Sequence, residues 1–312
     1  MTVMIDEGRA ERVSRAVATL MPALGRVHAV HRVEAGWGNE NWTAETNLGR
    51  VMVKIGLAGS SSEKWRCAGV ALGLARAAGV PAPELMAFDA SNEMLDGRVL
   101  RVFSYLDGFS PDTLDDQPAK RTRFFSQLGE AVARLHRIAR PEFTSRIGGD
   151  HGYDRWSDFV ANRWRSIVER AEHAGMDRDL VVAAEAALFP LANRFDAVAH
   201  PVVCHRDLYF DNLLCDADGN LVALLDFDMA EAWEPAADFH KLRWWVFGTD
   251  TAAERAFLSG YRAGEPFPED FEGRVRVVEL LDLVNGIANW IGTDQTAMTI
   301  NAEDRLRMLL RV

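Results

Sequence analysis

"VVCHRDLYFDNLLC", Val202–Cys215, sets two apolar, strand-like runs around His205, Arg206, Asp207, Asp211 and Asn212. A polar turn in a hairpin is the plain reading of such a stretch. A rigid loop that carries reactive groups is the other, and the residues nearby discriminate. Asn212 follows Asp207 by five positions. Fourteen further on, Asp226 ends the apolar run of "LVALLDFD". Asn and Asp oxygens suit Mg²⁺, which takes a few protein oxygens and fills its octahedron with phosphate oxygens and water. A separate carboxylate, Asp207, can accept the proton of an attacking hydroxyl. Metal ligands plus a base that orients the nucleophile are what phosphoryl transfer requires.

The order His205-Arg206-Asp207-Leu208-x-x-x-Asn212 matches the H-R-D-L-x-x-x-N loop of kinases residue for residue, which sets the hairpin reading aside. A nucleotide half should then lie upstream. Lys54 sits in "RVMVKIGL", a lysine in an otherwise apolar strand. It reads either as a phosphate ligand or as a side chain snorkelling from an edge strand. The downstream loop favours phosphate. Between the two strands before it lies "EAGWGNENW", where Gly36 and Gly38 would let the backbone approach phosphates. GxG turns are common, and its place one hairpin before Lys54 gives this one weight.

The chain has 312 residues, enough for two lobes around a large core, and a formal charge of −11. That charge argues against nucleic acid and anionic membrane as partners, and it is compatible with a cationic small substrate or with plain solubility. No targeting segment and no membrane span is visible. Cys67, Cys204 and Cys215 lack metal or disulfide spacing, so they read as core thiols in a reducing cytoplasm. Of the 35 basic residues four are lysines.

Along the chain, Val13, Val17, Leu20, Met21 and Leu24 recur at helical spacing. "VHAVHRVEA", "NWTAETNL" and "RVMVKIGL" read as an antiparallel meander. "SSSEKWRCAGVALGLARAAG" reads as a helix with serines at its start and glycine at its end, stopped by "VPAP". "VLRVFSYLDG" is a further strand. From Pro118 the pattern is helical, with Phe124, Leu128, Val132, Leu135 and Ile138 on one face, and short strands surround the opening motif. Residues 1–106 are expected to form a strand-rich nucleotide-binding lobe. Residues 107–312 are expected to form a mainly helical catalytic and acceptor-binding lobe.

These segments together resemble the aminoglycoside phosphotransferase and choline kinase family, small-molecule relatives of the protein kinases. The resemblance spans about residues 30–250, through the glycine loop, "VMVKIG", "GVPAPELMAFD", "VFSYLDG", "LGEAVARLH", "VVCHRDLYFDNLL" and "LLDFDMAEAWEPAADF". It implies an α+β, two-lobed protein-kinase-like fold with ATP in the cleft, GTP staying open as donor. It implies Asp207 as base, Asn212 and Asp226 as magnesium ligands and Lys54 as phosphate ligand. Backbone from Ser104 to Leu106 would hold the adenine, and Asp238 would brace the catalytic loop. Two departures stand out. Protein kinases carry Lys two residues after the catalytic Asp, where this chain has Tyr209, and the short interval from Asp226 to Asp238 leaves no room for a long activation loop. Both point to a small-molecule acceptor. The helix acid that usually pairs with the strand lysine is also displaced: its place falls on Ala68, and Glu63 is the nearest acid.

For the acceptor, a small hydroxyl-bearing molecule that can be cationic, the candidates are Asp211, Asp228, Glu231 and Trp233, with Asn285, Trp290 and Asp294 in the tail. Acids would bind amines and indoles would stack on rings or cations. The alternative is that these acids flank a turn and the tryptophans are core, as the spacing of Trp156 and Trp164 suggests. The leading functional reading is phosphorylation of an antibiotic of aminoglycoside, nucleoside or peptide type. Beside it stand a metabolic kinase for a sugar, choline-like amine or amino alcohol, and a kinase-like binding protein without turnover.

Overall fold

Period-two alternation in the first hundred residues builds a sheet with two different faces. The computed structural model describes residues 3–34, 39–248, 250–264 and 270–311; Gly36 and Gly38 lie outside the described residues. Strands β1 (Val27–Val33), β2 (Asn39–Thr46), β3 (Gly49–Gly56), β4 (Leu85–Asn92) and β5 (Arg98–Ser104) form one antiparallel sheet in the order β1-β2-β3-β5-β4. Register places Asn41 opposite Lys54 and Lys54 opposite Arg101, so these three share a face. Trp42, Val53 and Val102 are likewise opposite one another and face the other way. There they form an apolar cluster with Val13, Ala16 and Val17 of helix α1 (Val3–Leu20). One face of the sheet is thus sealed by α1, and the other presents polar groups.

Helix α2 (Ser62–Ala77) lies between β3 and β4; Ser61 caps it, its side chain accepting from the Lys64 N–H. β4 is an element that the sequence reading did not separate. Prolines 81 and 83 precede it, and two register irregularities against β5 break its alternation.

The rest is mainly helical: α3 (Pro118–His136), α4 (Trp156–Ala174), α5 (Arg178–Phe195), α6 (Phe239–Lys241), α7 (Thr251–Gly264), α8 (Phe271–Trp290) and α9 (Thr296–Leu310), with a π-helical turn over Leu242–Phe247. Four short strands interrupt it: β6 (Val202–Cys204), β7 (Leu213–Cys215), β8 (Leu221–Leu224) and β9 (Glu231–Trp233). β6 pairs with β9 and β7 with β8. The two apolar flanks of the opening motif therefore do not pair with each other, which removes the simple hairpin.

Helices α3 and α7 cross at glycines. A Cβ on Gly260 would lie 1.9 Å from the Ser126 carbonyl oxygen, and one on Gly129 would lie 2.1 Å from that of Phe257. Backbone on both sides leaves no flexible side chain to yield. Gly260→Ala is therefore expected to lower stability by about 1–3 kcal/mol or more through overpacking. Chemical denaturation reads this, and an unchanged midpoint would contradict the close crossing.

Candidate active site

The loop between β6 and β7 is held from beneath by one buried carboxylate. Asp238 accepts from the backbone N–H groups of His205 at 2.9 Å and Arg206 at 2.6 Å, and is bonded to His136 Nε2 at 3.1 Å. Burial pushes its carboxyl up, but His136 and the N–H donors more than offset this, and it is held below the usual carboxylate range. Arg206 takes a left-handed backbone, φ 67°, uncommon for a residue with a long side chain. Its guanidinium lies 3.6 Å from the centroid of the Trp233 ring and pairs with Asp282 at 2.9 Å. His205 ties the loop to the next strand. Its Nε2 lies 2.7 Å from the Leu225 carbonyl, and the Asp207 N–H reaches its Nδ1 at 3.3 Å. Neither side chain lines the cleft; both hold the loop.

Asp207 is thereby fixed at the floor of a cleft of about 680 Å³ whose lining includes Lys54, Asn212, Asp226, Asp228 and Lys241. The Asn212 Nδ2 donates to Asp207 Oδ2 at 2.8 Å and to the Asp207 carbonyl at 2.8 Å. The amide nitrogen is spent inward, which leaves Asn212 Oδ1 for another partner. Lys241 Nζ forms an ion pair with Asp207 Oδ1. Asp226, at φ 57°, meets Lys54 Nζ at 2.9 Å and accepts from the Asp228 N–H at 3.3 Å. Burial and the neighbouring Asp228 push its carboxyl up despite Lys54. Asp228 goes the other way: Arg101 overcomes burial and holds it ionised. Arg101 grips both Asp228 oxygens, one at 2.9 Å, and Asn39 Nδ2 adds a third bond at 2.9 Å. The guanidinium rests 4.1 Å from the centroid of Trp65.

Several expectations need correction. Of the two possibilities for Lys54, that Glu63 replaces the usual helix acid or that no helix acid pairs with it, the structure has the second: Lys54 pairs with Asp226, and Glu63 does not reach it. Glu63 lies exposed in the first turn of α2, while that helix turns Trp65, Ala68, Gly69 and Leu72 to the cleft. Glu231 and Trp233 do not reach an acceptor. Trp233 is fully buried against Trp156 and Phe159, and Glu231 is buried and paired with Arg163 at 2.9 Å. Strand β9 faces them inward because it pairs with β6 in the core. Asp228 lines the cleft, but its oxygens are committed to Arg101 and Asn39. In the tail, Trp290 lines the cleft; Asn285 accepts from Arg170 at 2.6 Å, and Asp294 is exposed outside the cleft lining. Asp211 is exposed on the cleft's lining, and Ser104 and Leu106, half-buried, also line it. Sequence reading missed Arg101, Asn39 and Lys241. For Lys241 a signal existed: of only four lysines in the chain, Lys54, Lys64 and Lys241 all line this cleft.

An antiparallel sheet and a helical lobe with a lysine, an asparagine and paired carboxylates between them define a small-molecule phosphotransferase of kinase-like fold. Residues 29–271 match the model of the phosphotransferase enzyme family (APH), and the chain belongs to that family. No curated protein matches it. Among solved structures, a candidate fructosamine-3-kinase from Thermobifida fusca YX-ER1 is similar at a TM-score of 0.72 and 20% identity, with 96% of this chain and 99% of that one covered. The aminoglycoside phosphotransferase APH(4)-Ia is similar at a TM-score of 0.70 and 14% identity, with 96% and 98% covered. A candidate aminoglycoside phosphotransferase from Ralstonia eutropha JMP134 is similar at 0.68 and 17% identity, with 95% of each chain covered.

Proposed function

We propose that this protein transfers the γ-phosphoryl group of ATP to a hydroxyl of a small molecule, in a cleft between a nucleotide-binding lobe of residues 1–106 and an acceptor-binding lobe of residues 107–312. The observation that carries this is the meeting of Asp207, Asn212 and Asp226, from one short stretch of the helical lobe, with Lys54 of the distant β3 in one cleft. The hydroxyl donates its hydrogen bond to Asp207. A lone pair of its oxygen forms the new bond to the γ-phosphorus, the bond from that phosphorus to the bridging oxygen breaks, and ADP departs with the electron pair. The hydroxyl proton passes to the Asp207 carboxylate. Lys54 serves the donor phosphates, and the backbone from Ser104 to Leu106 takes the adenine. APH(4)-Ia variants complexed with ADP or AMP-PNP and hygromycin B support an adenine nucleotide as donor.

The residues fit Mg²⁺. Asn212 Oδ1 is left over when its amide nitrogen turns inward, and Asp226 is a half-buried carboxylate on the cleft lining whose proton affinity is raised by desolvation and by the neighbouring Asp228 despite Lys54. Asn212 and Asp226 would hold the ion, which supplies charge neutralisation on the phosphates when bound.

One observation bears on the acceptor. Asp207, Asp226 and Asp228 each face a cation, so among the described residues Asp211 is the cleft carboxylate with no ion pair. A polycationic antibiotic is poorly matched to such a surface. The cleft favours a metabolite with one amine or none, and Trp290 offers it a ring to stack on. The three cysteines are free and buried, which fits a reducing cytoplasm, and no helix of the described residues is long and apolar enough to cross a membrane.

The test is ATP consumption with a panel of sugars, amino alcohols, choline-like amines, aminoglycosides, nucleosides and peptides, with mass spectrometry for one added phosphoryl group. Turnover with a sugar or amino alcohol is the expected outcome. Turnover confined to aminoglycosides would refute the metabolite assignment, and absence of both nucleotide binding and transfer would refute the kinase.

A further inference from the structure

We propose that Lys241 is a catalytic residue: its ammonium holds Asp207 and meets the phosphoryl group in flight. This rests on the phosphotransfer reading above. Asp207 is held at both oxygens, by Asn212 Nδ2 at Oδ2 and by Lys241 Nζ at Oδ1. An ammonium carries three N–H donors, and among the described residues Asp207 is the one hydrogen-bond partner of Lys241. Two donors therefore remain beside Asp207 in the cleft. A hydroxyl bonded to Asp207 would place its oxygen about 2.7 Å from the carboxylate. The in-line phosphorus lies just beyond. A cation on the same carboxylate is then within one side chain's reach of an equatorial phosphoryl oxygen.

Sequence and packing both support a fixed placement. Position 209, where a loop lysine would stand, holds a tyrosine. Burial first, and then Asp207, Asp211 and Asp226, push its phenol up to about 12, so it brings no charge. Lys241 comes instead from α6, three residues after Asp238, the carboxylate that fixes the loop's backbone. Phe239, His240 and Leu242 around it are buried, and His240 Nε2 lies 3.1 Å from Asp282, which also holds Arg206. Base and ammonium thus hang from one rigid unit. The choice of lysine is also informative in a chain that is overwhelmingly arginine-based. A compact ammonium suits a single phosphoryl oxygen, whereas guanidinium is built for a bidentate fork.

An ammonium that merely balanced Asp207 would weaken the base with no return. In a loose phosphoryl-transfer transition state the hydroxyl needs orientation more than early proton removal, and the equatorial oxygens carry the charge. A cation placed at both satisfies each need.

The experiment uses the full chain with Mg²⁺, needs no known acceptor, and compares wild type with Lys241→Met and Lys241→Arg. Calorimetry measures binding of ADP alone and of ADP with aluminium fluoride, a planar mimic of the phosphoryl group, and slow hydrolysis of ATP by water is followed in parallel. Lys241→Met should bind ADP like the wild type, lose the added affinity conferred by aluminium fluoride, and hydrolyse ATP about 10²–10³-fold more slowly. Lys241→Arg should recover part of both. The proposal is overturned if Lys241→Met keeps the fluoride-dependent tightening or, where the wild type shows none, keeps the wild-type rate of hydrolysis. A wild type that binds no ADP would remove the phosphotransfer reading itself, and this inference with it.

Discussion

Asp207→Asn is expected to slow phosphoryl transfer by about 10²–10⁴-fold while leaving ADP affinity near that of the wild type. The substitution keeps volume and shape. It replaces one acceptor oxygen by an NH₂ group, which must then face either the Asn212 amide or the Lys241 ammonium, both of which donate to the native carboxylate. The reacting hydroxyl loses its proton acceptor and its orientation together. Product formation under saturating ATP measures the loss, and calorimetric titration with ADP shows that the nucleotide half is intact. Wild-type turnover in this variant would remove Asp207 from the role of base.

Asp238→Asn is expected to be the most damaging single change to stability in the catalytic lobe. Asp238 is buried and accepts from two backbone N–H groups while bonded to His136. A carboxamide can accept on one side only, so at least one buried donor faces another donor. The negative charge that balances this end of the loop is also lost. Breaking a buried charged cluster of this kind costs about 3–5 kcal/mol. For a chain of this size that corresponds to a fall in Tm on the order of 10 °C. Thermal denaturation followed by circular dichroism checks it. A variant that melts with the wild type would show that Asp238 is not the anchor of the loop. The left-handed Arg206 sharpens the expectation, because its backbone N–H bond to Asp238 is part of what holds that conformation.

Much of the site was legible in sequence because its chemistry is local. Asp207 and Asn212 lie on one short loop, and Asp226 ends the next hairpin, so covalent spacing alone keeps them near one another. Lys54 was legible for a different reason: a lysine amid alternating apolar residues must emerge on the open face of a strand. The acceptor side was harder to read. Glu231 and Trp233 stand close to Asp226 in sequence, yet three residues of β9 pairing with β6 turn them into the core, where Trp233 stacks under Arg206. Nothing in the local pattern distinguishes that burial from exposure. Arg101 shows the converse. It looks like a stray charge in an apolar strand until β5 is paired with β3, which sets it beside Lys54 and within reach of Asp228, 127 residues on.

The sequence by itself determined the class of reaction, the candidate loop for it and the order of most of the elements, β4 excepted. Residue chemistry at fixed short spacing survives any choice of packing, and apolar periodicity names helices and strands before they meet. Which charges neutralise which was decided only by tertiary structure. Lys54 pairs with Asp226 and not Glu63, Arg101 takes Asp228, and Lys241 crosses from α6 to Asp207. These pairs are set by the facing of distant surfaces. In a partly buried cleft, where an uncompensated charge is costly, packing selects the partners and so the charge left to greet the acceptor.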